Sequence, residues 1–311
     1  MPLSDHYKSV VEPLRRNAHA CVMEHRIDPL IAERAPWLYN DHVGAQIARQ
    51  TLHKLLGYET TVRIAAMLQD APSTSIMAEM ADRLAKLVTV RGLGNIPAHG
   101  PALIVANHPT GIADGIILHH LIAQVRTDAY FFANRDILRV FPQMYSMIAP
   151  VEWRKELRSH AKTRQTMAFV RDATRAGRLG VIFPSGRLAK RRGLRLYERP
   201  WMASAAMLAR KFNLPVVPVN LQARNSALFY LFDLIHPTLR DITLFHETLN
   251  KEKQPFRVTV GEPISAAAIP RNSDEGIQML RRATLALGGK DAPTVNLVAT
   301  SRSWLKRPQA D

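Results

Sequence analysis

The stretch that decides the fold is ALIVANHPTGIADGIIL, residues 102–118. It opens with five apolar residues of strand-forming character, passes through Asn-His-Pro, and resumes an apolar run directly after Asp114. A short apolar run that ends in turn residues and is followed by helical spacing predicts a buried strand, a loop and a helix. His108 would then close the strand, and Asp114 would lie at the start of the helix.

The alternation of strands and helices continues along the chain. It predicts an α/β fold with a mixed, largely parallel central sheet flanked by helices. We expect an N-terminal helical region over 1–85, an α/β domain over 86–265, and a C-terminal helix and tail over 266–311 that is loosely ordered from Gly288 onward. Residues 184–200 are predicted to form a basic loop. Predicted strands cover 87–97, 102–106, 129–133, 180–183, 214–221 and 256–264, and predicted helices cover 114–124, 157–176, 201–212 and 274–287.

The net charge of +16 is concentrated in one segment of the 311 residues. Residues 151–200 contain 14 lysines and arginines against four acids. A field of this sign attracts a polyanion, either nucleic acid or an anionic lipid surface, unless the basic face serves only solubility. The segment lacks the interleaved aromatic residues of single-strand binders, and no helix-turn-helix, zinc or RNA-recognition motif is evident. We therefore expect no nucleic acid partner.

Cysteine content and hydropathy indicate which cellular compartment the protein fits. The single cysteine, Cys21, excludes an internal disulfide framework and fits a reducing cytosol. The first 25 residues mix charges and lack the apolar core of a signal peptide. No window approaches the roughly 18 apolar residues of a membrane span, so we expect a soluble or membrane-surface protein. The apolar stretch SALFYLFDLI, residues 226–235, is either a buried helix or an interfacial element.

His108 and Asp114 can form a catalytic dyad. A neutral imidazole takes a proton from an attacking hydroxyl if its other nitrogen donates to a group that fixes the tautomer and stabilises the imidazolium. A carboxylate across a short turn can be that group, and Pro109-Thr110-Gly111 are suitable turn residues. The alternative is that Asp114 only caps the helix and His108 only ends the strand.

A second candidate site follows the strand that ends at Phe183, in VIFPSGRLAKRRGLR, residues 181–195. Pro184, Ser185 and Gly186 form a turn whose backbone N–H groups can face an anion. Cations follow, and arginine holds phosphate through paired hydrogen bonds. The spacing of a P-loop is absent, as is the G-x-S-x-G elbow that would make Ser185 a nucleophile. The cations here are Arg187, Lys190, Arg191 and Arg192.

Two further positions carry weaker signals. Arg154 follows an extended segment and can hold a second anionic group, or can pair on the surface with Glu152 or Glu156. Pro218 lies inside the apolar strand VVPVNL, which indicates a sheet edge, a bulge or a position beside a ligand.

The order of these four features resembles the phosphate and lysophospholipid acyltransferase family, which contains bacterial 1-acylglycerol-3-phosphate acyltransferase. Asn-His-Pro with a following aspartate, an arginine after an extended segment, Phe-Pro-x-Gly and Val-Pro-Val occur in that order between about Leu87 and Ile264. FHETLNKEKQPFRVTVGEPI, residues 245–264, is similar to the hemolysin-type bacterial branch. The combination is specific, whereas each piece alone is not.

The resemblance implies a role for each matching residue. His108 corresponds to the catalytic base, Asp114 to the carboxylate that orients it, and Arg154 to the arginine that binds the acceptor phosphate. Ser185 stands where the motif Phe-Pro-Glu-Gly has glutamate, and Leu188 where it has arginine, which leaves the acceptor head group open. The resemblance also implies phosphate contacts from Ser185, Gly186, Arg187 and Lys190, the last two as replacements for the motif arginine, and supporting roles for Asn107, Phe183, Pro184 and Pro218.

The function that this resemblance implies is O-acyl transfer. A fatty acyl group would pass from acyl-CoA or acyl carrier protein to the free hydroxyl of a lysolipid, whether a lysophosphatidate, a related lysophospholipid or a lyso-ornithine lipid. We expect no cofactor, a cytoplasmic enzyme on the inner face of the cell membrane, and contacts with the anionic lipid surface and with acyl carrier protein. His119 and His120 point to different faces of one predicted helix, so we expect no metal site. The alternatives are a catalytically degenerate lipid-binding member of the same fold and a basic nucleic-acid-binding protein.

Overall fold

The computed structural model describes residues 3–152, 155–157 and 159–302, with side chains described from residue 19 onward except those of Lys155 and Arg302. The chain folds into two compact units: one is built from residues up to Ile76, Asp136–Met144 and Ala227–Leu249, and the other from Met77–Arg135, Tyr145–Ser226 and the residues from Asn250 onward. The helices are α1 (Leu3–Arg34), α2 (Val43–Leu56), α3 (Tyr58–Leu68), α4 (Ser73–Leu84), α5 (Ile112–Ile122), α6 (Ile137–Val140), α7 (His160–Arg175), α8 (Ser204–Lys211), α9 (Ala227–Ile235), α10 (Pro237–Asn250), α11 (Ser273–Ala286) and α12 (Leu297–Arg302). The strands are β1 (Val88–Arg91), β2 (Ala102–Ala106), β3 (Tyr130–Asn134), β4 (Ile148–Val151), β5 (Leu179–Ile182), β6 (Lys190–Arg192), β7 (Arg195–Tyr197), β8 (Val216–Gln222), β9 (Phe256–Val260) and β10 (Thr294–Asn296). The predicted three-part division of the chain stays a prediction.

Among the described strands, seven form the central sheet of the second unit, in the order β1-β9-β8-β2-β5-β3-β4. Strands β8 and β9 are antiparallel, and every other pair of neighbours is parallel. Strands β2 and β5 are buried along their whole length, as parallel strands covered on both faces are. The predicted α/β fold with a mixed, largely parallel sheet is therefore confirmed. The carboxyl ends of β2, β5 and β8 lie at one edge of the sheet.

The core of this unit requires a glycine in β5. A Cβ at Gly180 would lie 2.7 Å from Oη of Tyr130, whose side chain is almost fully buried. The tyrosine ring therefore fills the space that a side chain at 180 would need. Buried residues of β2, α8 and α11 complete the core, among them Leu103, Ala205 and Leu280.

Two predictions about irregular chain were wrong. The basic loop contains the hairpin of β6 and β7, and the tail beyond Gly288 contains β10, which pairs antiparallel with β7 in a second sheet ordered β10-β7-β6. Strand β6 consists of three consecutive cations and β7 is only three residues long, so neither shows the apolar–polar alternation that predicts a strand. The extended segment before Arg154 contains β4, which was not predicted as a strand because Pro150 lies within it. Strand β4 occupies an edge of the sheet, where proline is tolerated.

The first unit is helical. Buried residues of α1 and α3, including Met23, Ile27 and Val62, form its core together with Phe232 and Ile242. The stretch 226–235 forms α9, in which Phe229 and Phe232 are buried, whereas Leu231, Leu234 and Ile235 are more than half exposed. Both faces of α9 are therefore apolar, and only the face with the two phenylalanines is buried. The predicted buried helix thus describes one face, and the predicted interfacial element stays a prediction for the other. In the part of the chain that is described, no helix combines the length and apolar character needed to cross a membrane.

Candidate active site

The side chains of His108 and Asp114 meet at the carboxyl end of β2. Nδ1 of His108 lies 2.9 Å from Oδ2 of Asp114, and the aspartate side chain is fully buried. Because an ionised carboxylate only accepts hydrogen bonds, Nδ1 carries the proton, and the neutral ring keeps its lone pair on Nε2. The His108 side chain is 19% exposed, so the ring reaches the protein surface. This arrangement can accept a proton at Nε2 from a hydroxyl group.

The loop between β2 and α5 folds around the Asp114 carboxylate. Oδ2 also accepts from the N–H groups of Thr110 at 2.9 Å and Gly111 at 3.0 Å, and Oδ1 accepts from Oγ1 of Thr110 at 2.5 Å. Gly111 has a φ of 98°, which a residue with a Cβ rarely adopts. Asp114 therefore caps α5 and binds His108 at once, so the predicted pairing of the two side chains is present, and its catalytic role stays a prediction.

Phe183 forms one wall of the site. Its ring stacks on the imidazole of His108, with centroids 4.2 Å apart and an interplanar angle of 24°. Phe183 directly follows β5, which pairs in parallel with β2, so the two strand ends lie side by side. Ligands of α/β sheets bind at this edge. The Phe-Pro-x-Gly motif therefore contacts the Asn-His-Pro motif through the stacked rings of Phe183 and His108.

The predicted phosphate loop forms hydrogen bonds within itself. The N–H of Gly186 donates to the carbonyl oxygen of Phe183 at 2.9 Å, and the hydroxyl of Ser185 donates to the carbonyl oxygen of Arg187 at 2.7 Å. Ser185 is buried, whereas the side chains of Arg187 and Lys190 are exposed. Because the Gly186 N–H is engaged in the turn, cationic side chains are better candidates for an anion than the loop amides.

The site contains a second buried carboxylate, which the sequence reasoning missed. Oε2 of Glu198 accepts from the backbone N–H of His108 at 3.1 Å, and Oε1 accepts from Nε1 of Trp201 at 2.9 Å. Burial raises the pKa of Glu198, and these two donors, the charge of His108 and a hydrogen bond with the Ser185 side chain oppose only part of that shift. One signal could have identified it, since Glu198 is the only acid in residues 181–200.

The base of the hairpin holds both backbone polar groups of His108. The N–H of Ala189 donates to the carbonyl oxygen of His108 at 2.9 Å, while Glu198 accepts from its N–H. Residues 189 and 198 flank the paired strands, in which Lys190 lies opposite Tyr197. The hairpin therefore fixes the histidine backbone from both sides.

Two arginines are candidates for binding the acceptor. Arg154 lies outside the described residues, so its predicted role stays a prediction. Its predicted surface partner Glu152 is buried and pairs with Lys162 at 3.0 Å. Arg199, which the sequence reasoning missed, donates from Nε to the carbonyl oxygen of Leu188 at 3.1 Å. A guanidinium therefore lies beside the position where the family motif has its arginine.

Asn107 and Pro218 hold the strand ends together. The amide of Asn107 donates to the carbonyl oxygen of Leu221 at 2.9 Å and accepts from its N–H at 2.7 Å. The side chain thereby extends the pairing of β2 with β8 beyond the end of β2. Pro218 lies in β8, an interior strand, so of its three predicted settings the sheet edge is wrong, and a position beside a ligand stays a prediction. Its carbonyl oxygen accepts from the N–H of Gly261 at 2.9 Å.

Metal ligation finds no support among the described residues, where no group of three or more His, Cys, Asp or Glu is arranged to hold an ion. His119 and His120 both lie in the last turn of α5 and are half-buried. Burial lowers the pKa of His119, with a smaller contribution from the charge of His120.

Comparisons with known proteins give a family match over the part of the chain that contains this site. Residues 87–222 match the family model described as Acyltransferase. The chain is 24% identical over 183 residues to a lyso-glycine lipid O-acyltransferase of Phocaeicola vulgatus, a match covering 57% of this chain and 64% of that protein. It is 22% identical over 183 residues to a lyso-glycine lipid O-acyltransferase of Bacteroides thetaiotaomicron, covering 57% of this chain and 65% of that protein. The matches thus span slightly less than two thirds of both relatives.

One solved structure is also similar. It is the 1-acyl-sn-glycerophosphate acyltransferase PlsC from Thermotoga maritima, with 15% identity and a TM-score of 0.45, covering 78% of this chain and 96% of that chain. The family match covers the histidine–aspartate pair, the loop after β5 and Pro218. Residues 87–222 therefore match the acyltransferase family that the order of the motifs predicted, whereas the hemolysin-type branch stays a prediction.

Proposed function

We propose that the protein is an O-acyltransferase that moves a fatty acyl group from a thioester donor to the free hydroxyl of a lysolipid. The observation that carries the proposal is the buried Asp114 carboxylate on Nδ1 of His108, which leaves Nε2 of a partly exposed ring as a base. The family domain over residues 87–222 and the names of both curated relatives support the reaction class.

The mechanism is general-base catalysis. Nε2 of His108 takes the proton of the lysolipid hydroxyl as its oxygen attacks the thioester carbonyl. The carbon–sulfur bond then breaks, and the imidazolium returns the proton to the leaving thiolate. Asp114 stabilises the imidazolium and keeps the ring in the productive tautomer. Base catalysis of this kind contributes about two to four powers of ten in rate.

The acceptor that we favour is a lysolipid with an amino-acid head group. Both curated relatives are named for a lyso-glycine lipid. The residues of the loop after β5 support this choice, because Ser185 and Leu188 replace the glutamate and arginine of the phosphate-binding motif. Exposed Arg187 and Lys190 then supply charge for the head-group anion. Lysophosphatidate is the acceptor to test against it.

The donor is acyl-CoA or acyl carrier protein, and the reaction needs no further cofactor. Both donors present a thioester, so His108 and Asp114 serve either. Acyl carrier protein is acidic and would meet the cations of residues 151–200. A comparison of the two donors at equal concentration separates them.

The tip of the β6–β7 hairpin suits an anionic lipid surface. Leu194 is 65% exposed in the turn, and the side chains of Lys190, Arg192 and Arg195 are exposed around it. An apolar side chain among cations can enter the acyl boundary while the cations meet the head groups. Because the base of this hairpin holds His108, contact at the tip would bring the lipid surface towards the histidine. We therefore propose that the protein works at an anionic lipid surface, on the inner face of the cell membrane.

The test measures acyl transfer from labelled acyl-CoA and from acyl carrier protein to a panel of lysolipids. The panel contains lysophosphatidate, a lyso-ornithine lipid and a lyso-glycine lipid. We expect transfer by the wild type, with the amino-acid lysolipids preferred, and a loss of at least about a hundredfold in His108→Ala. His99→Ala, which alters an exposed histidine outside the site, is the matched control and should be as active as the wild type.

Two outcomes contradict the proposal. Lysolipid binding without transfer by a folded wild type would favour a degenerate lipid-binding protein of the same fold. Salt-dependent retention of DNA or RNA that His108→Ala leaves unchanged, again without transfer, would favour a nucleic-acid-binding protein.

A further inference from the structure

Glu198 is a buried carboxylate that proton transfer by His108 and Asp114 does not use. Only 8% of the residue is exposed, and its two oxygens accept from the His108 backbone N–H and the Trp201 indole N–H. Burial of a charge is costly unless an opposite charge or several donors compensate for it. Within the described residues, no lysine or arginine forms an ion pair with Glu198. The positive charge that favours its ionised form is that of protonated His108.

That charge exists only when the imidazole holds two protons. In the proposed reaction His108 becomes an imidazolium as the hydroxyl loses its proton. Two carboxylates would then stabilise this imidazolium. Asp114 accepts from its Nδ1, whereas Glu198 accepts from the backbone N–H of His108 and attracts the ring charge electrostatically. A negative group that gains its partner only during the reaction stabilises the transition state more than the ground state.

The segment that carries Glu198 also lies along the loop where the motif glutamate is missing. The N–H of Met202 donates to the carbonyl oxygen of Pro184 at 2.9 Å, one residue before Ser185. The short Ser185 hydroxyl is engaged with the Arg187 carbonyl oxygen. The chain that follows the hairpin thus brings the Glu198 carboxylate close to the loop in which Ser185 stands where the family motif has glutamate.

We propose that Glu198 is a positioning residue for His108, which fixes the histidine backbone and favours the imidazolium formed during acyl transfer. The inference rests on the proposed function. Since the Glu198 carboxylate accepts from the backbone of His108 and not from its ring, it acts through the position and charge of His108. Its carboxylate is supplied by the chain that follows the hairpin.

The first experiment compares Glu198→Gln, Trp201→Phe and the wild type in acyl transfer, with unfolding measured in parallel. Glutamine keeps the size and one acceptor but removes the charge. We expect kcat to fall by up to about a hundredfold with the KM for the lysolipid unchanged, and Trp201→Phe to lose less. We also expect the acid limb of the pH–rate profile to change in Glu198→Gln. Glu247→Gln, which alters a buried glutamate of α10, is the matched control and should retain the wild-type kcat.

The second experiment does not depend on activity. In the wild type, the NMR signal of the Trp201 indole N–H should move with pH as Glu198 ionises, with a midpoint above the ordinary glutamate value of 4.5. Glu198→Gln should abolish this titration. If the wild type transfers no acyl group, the proposed function fails, whereas the indole signal still tests the ionisation of Glu198.

Three results overturn the inference. A folded Glu198→Gln variant with wild-type kcat and pH profile shows that His108 needs no second carboxylate. A loss of kcat that follows loss of folded protein, with an unchanged pH profile, shows a merely structural role. An indole signal that does not titrate in the wild type shows that Glu198 carries no charge near His108.

Discussion

The backbone N–H of His108 lies 3.1 Å from Oε2 of Glu198, although 90 residues separate them in the chain. The contact exists because β2 and β5 end side by side and the hairpin after β5 returns to the same edge of the sheet. The candidate base is therefore held by two carboxylates from different parts of the sequence, Asp114 on its side chain and Glu198 on its backbone.

Replacement of Asp114 by asparagine should separate catalysis from folding. The amide can turn its NH₂ group towards Thr110, whose hydroxyl accepts as well as donates, so the remaining contacts persist and the free energy of unfolding should fall by only about 1 kcal/mol. The lost charge should lower kcat by about two to four powers of ten. Steady-state kinetics and chemical denaturation check the two parts. Asp70→Asn, at an exposed position, is the control, and normal turnover by Asp114→Asn would remove the dyad from the mechanism.

The raised pKa of Glu198 predicts how stability depends on pH. Between the ordinary value of 4.5 and the folded value, the folded protein binds a proton that the unfolded chain has lost. The associated stability is fully present below about pH 4.5 and is lost as pH rises through the folded pKa. Relative to Glu198→Gln, the wild type should therefore lose unfolding free energy with rising pH, by at most about 1.4 kcal/mol per pH unit. Denaturant titrations at several pH values measure this difference, and a constant difference would contradict it.

Gly180→Ala should destabilise the sheet by overpacking. The added Cβ would lie 2.7 Å from Oη of Tyr130, so either the ring or the strand must move, at a cost of about 1–3 kcal/mol. Gly94→Ala is the matched control, since nothing lies within 4 Å of a Cβ there, and it should change stability by less than about 0.5 kcal/mol. Tyr130→Phe in the Gly180→Ala background should recover part of the loss because it removes the nearest atom. Equal melting temperatures for the two alanine variants would refute the packing argument.

The β6–β7 hairpin should control binding to anionic vesicles. Lys190→Ala with Arg192→Ala removes two exposed cations, each worth about 1 kcal/mol at an anionic surface, so partitioning into phosphatidylglycerol vesicles should weaken about thirtyfold. Leu194→Asp should weaken it further, and transfer to a monomeric short-chain lysolipid should be less affected than transfer in vesicles. Sedimentation with anionic and neutral vesicles measures both effects.

The control for the hairpin removes equal charge elsewhere. Arg271→Ala with Arg282→Ala alters two exposed arginines outside the hairpin. A similar loss of vesicle binding in both double variants would mean that net charge acts without a dedicated surface. Loss of acyl transfer from acyl carrier protein alone, with vesicle binding intact, would identify that protein as the partner of the hairpin.

The amino-acid sequence by itself determined the α/β class, the resemblance to the acyltransferase family and the histidine–aspartate pair. The apolar run 102–106, the turn residues after it and the spacing to Asp114 are local features, and local periodicity and turn chemistry act within a few residues. The order of the four motifs then identified the domain. Strands β6 and β7 were not predicted because each has only three residues and β6 consists of cations alone, so neither shows an apolar–polar alternation.

Only the tertiary structure decided what surrounds the histidine. Parallel pairing of β2 with β5 places Phe183 on the imidazole, and pairing of β6 with β7 returns Glu198 to the His108 backbone. No pattern in the sequence specifies a hydrogen bond from a side chain to the backbone of a residue 90 positions away. Such contacts depend on which strands become neighbours, and strand order follows from the packing of the whole sheet.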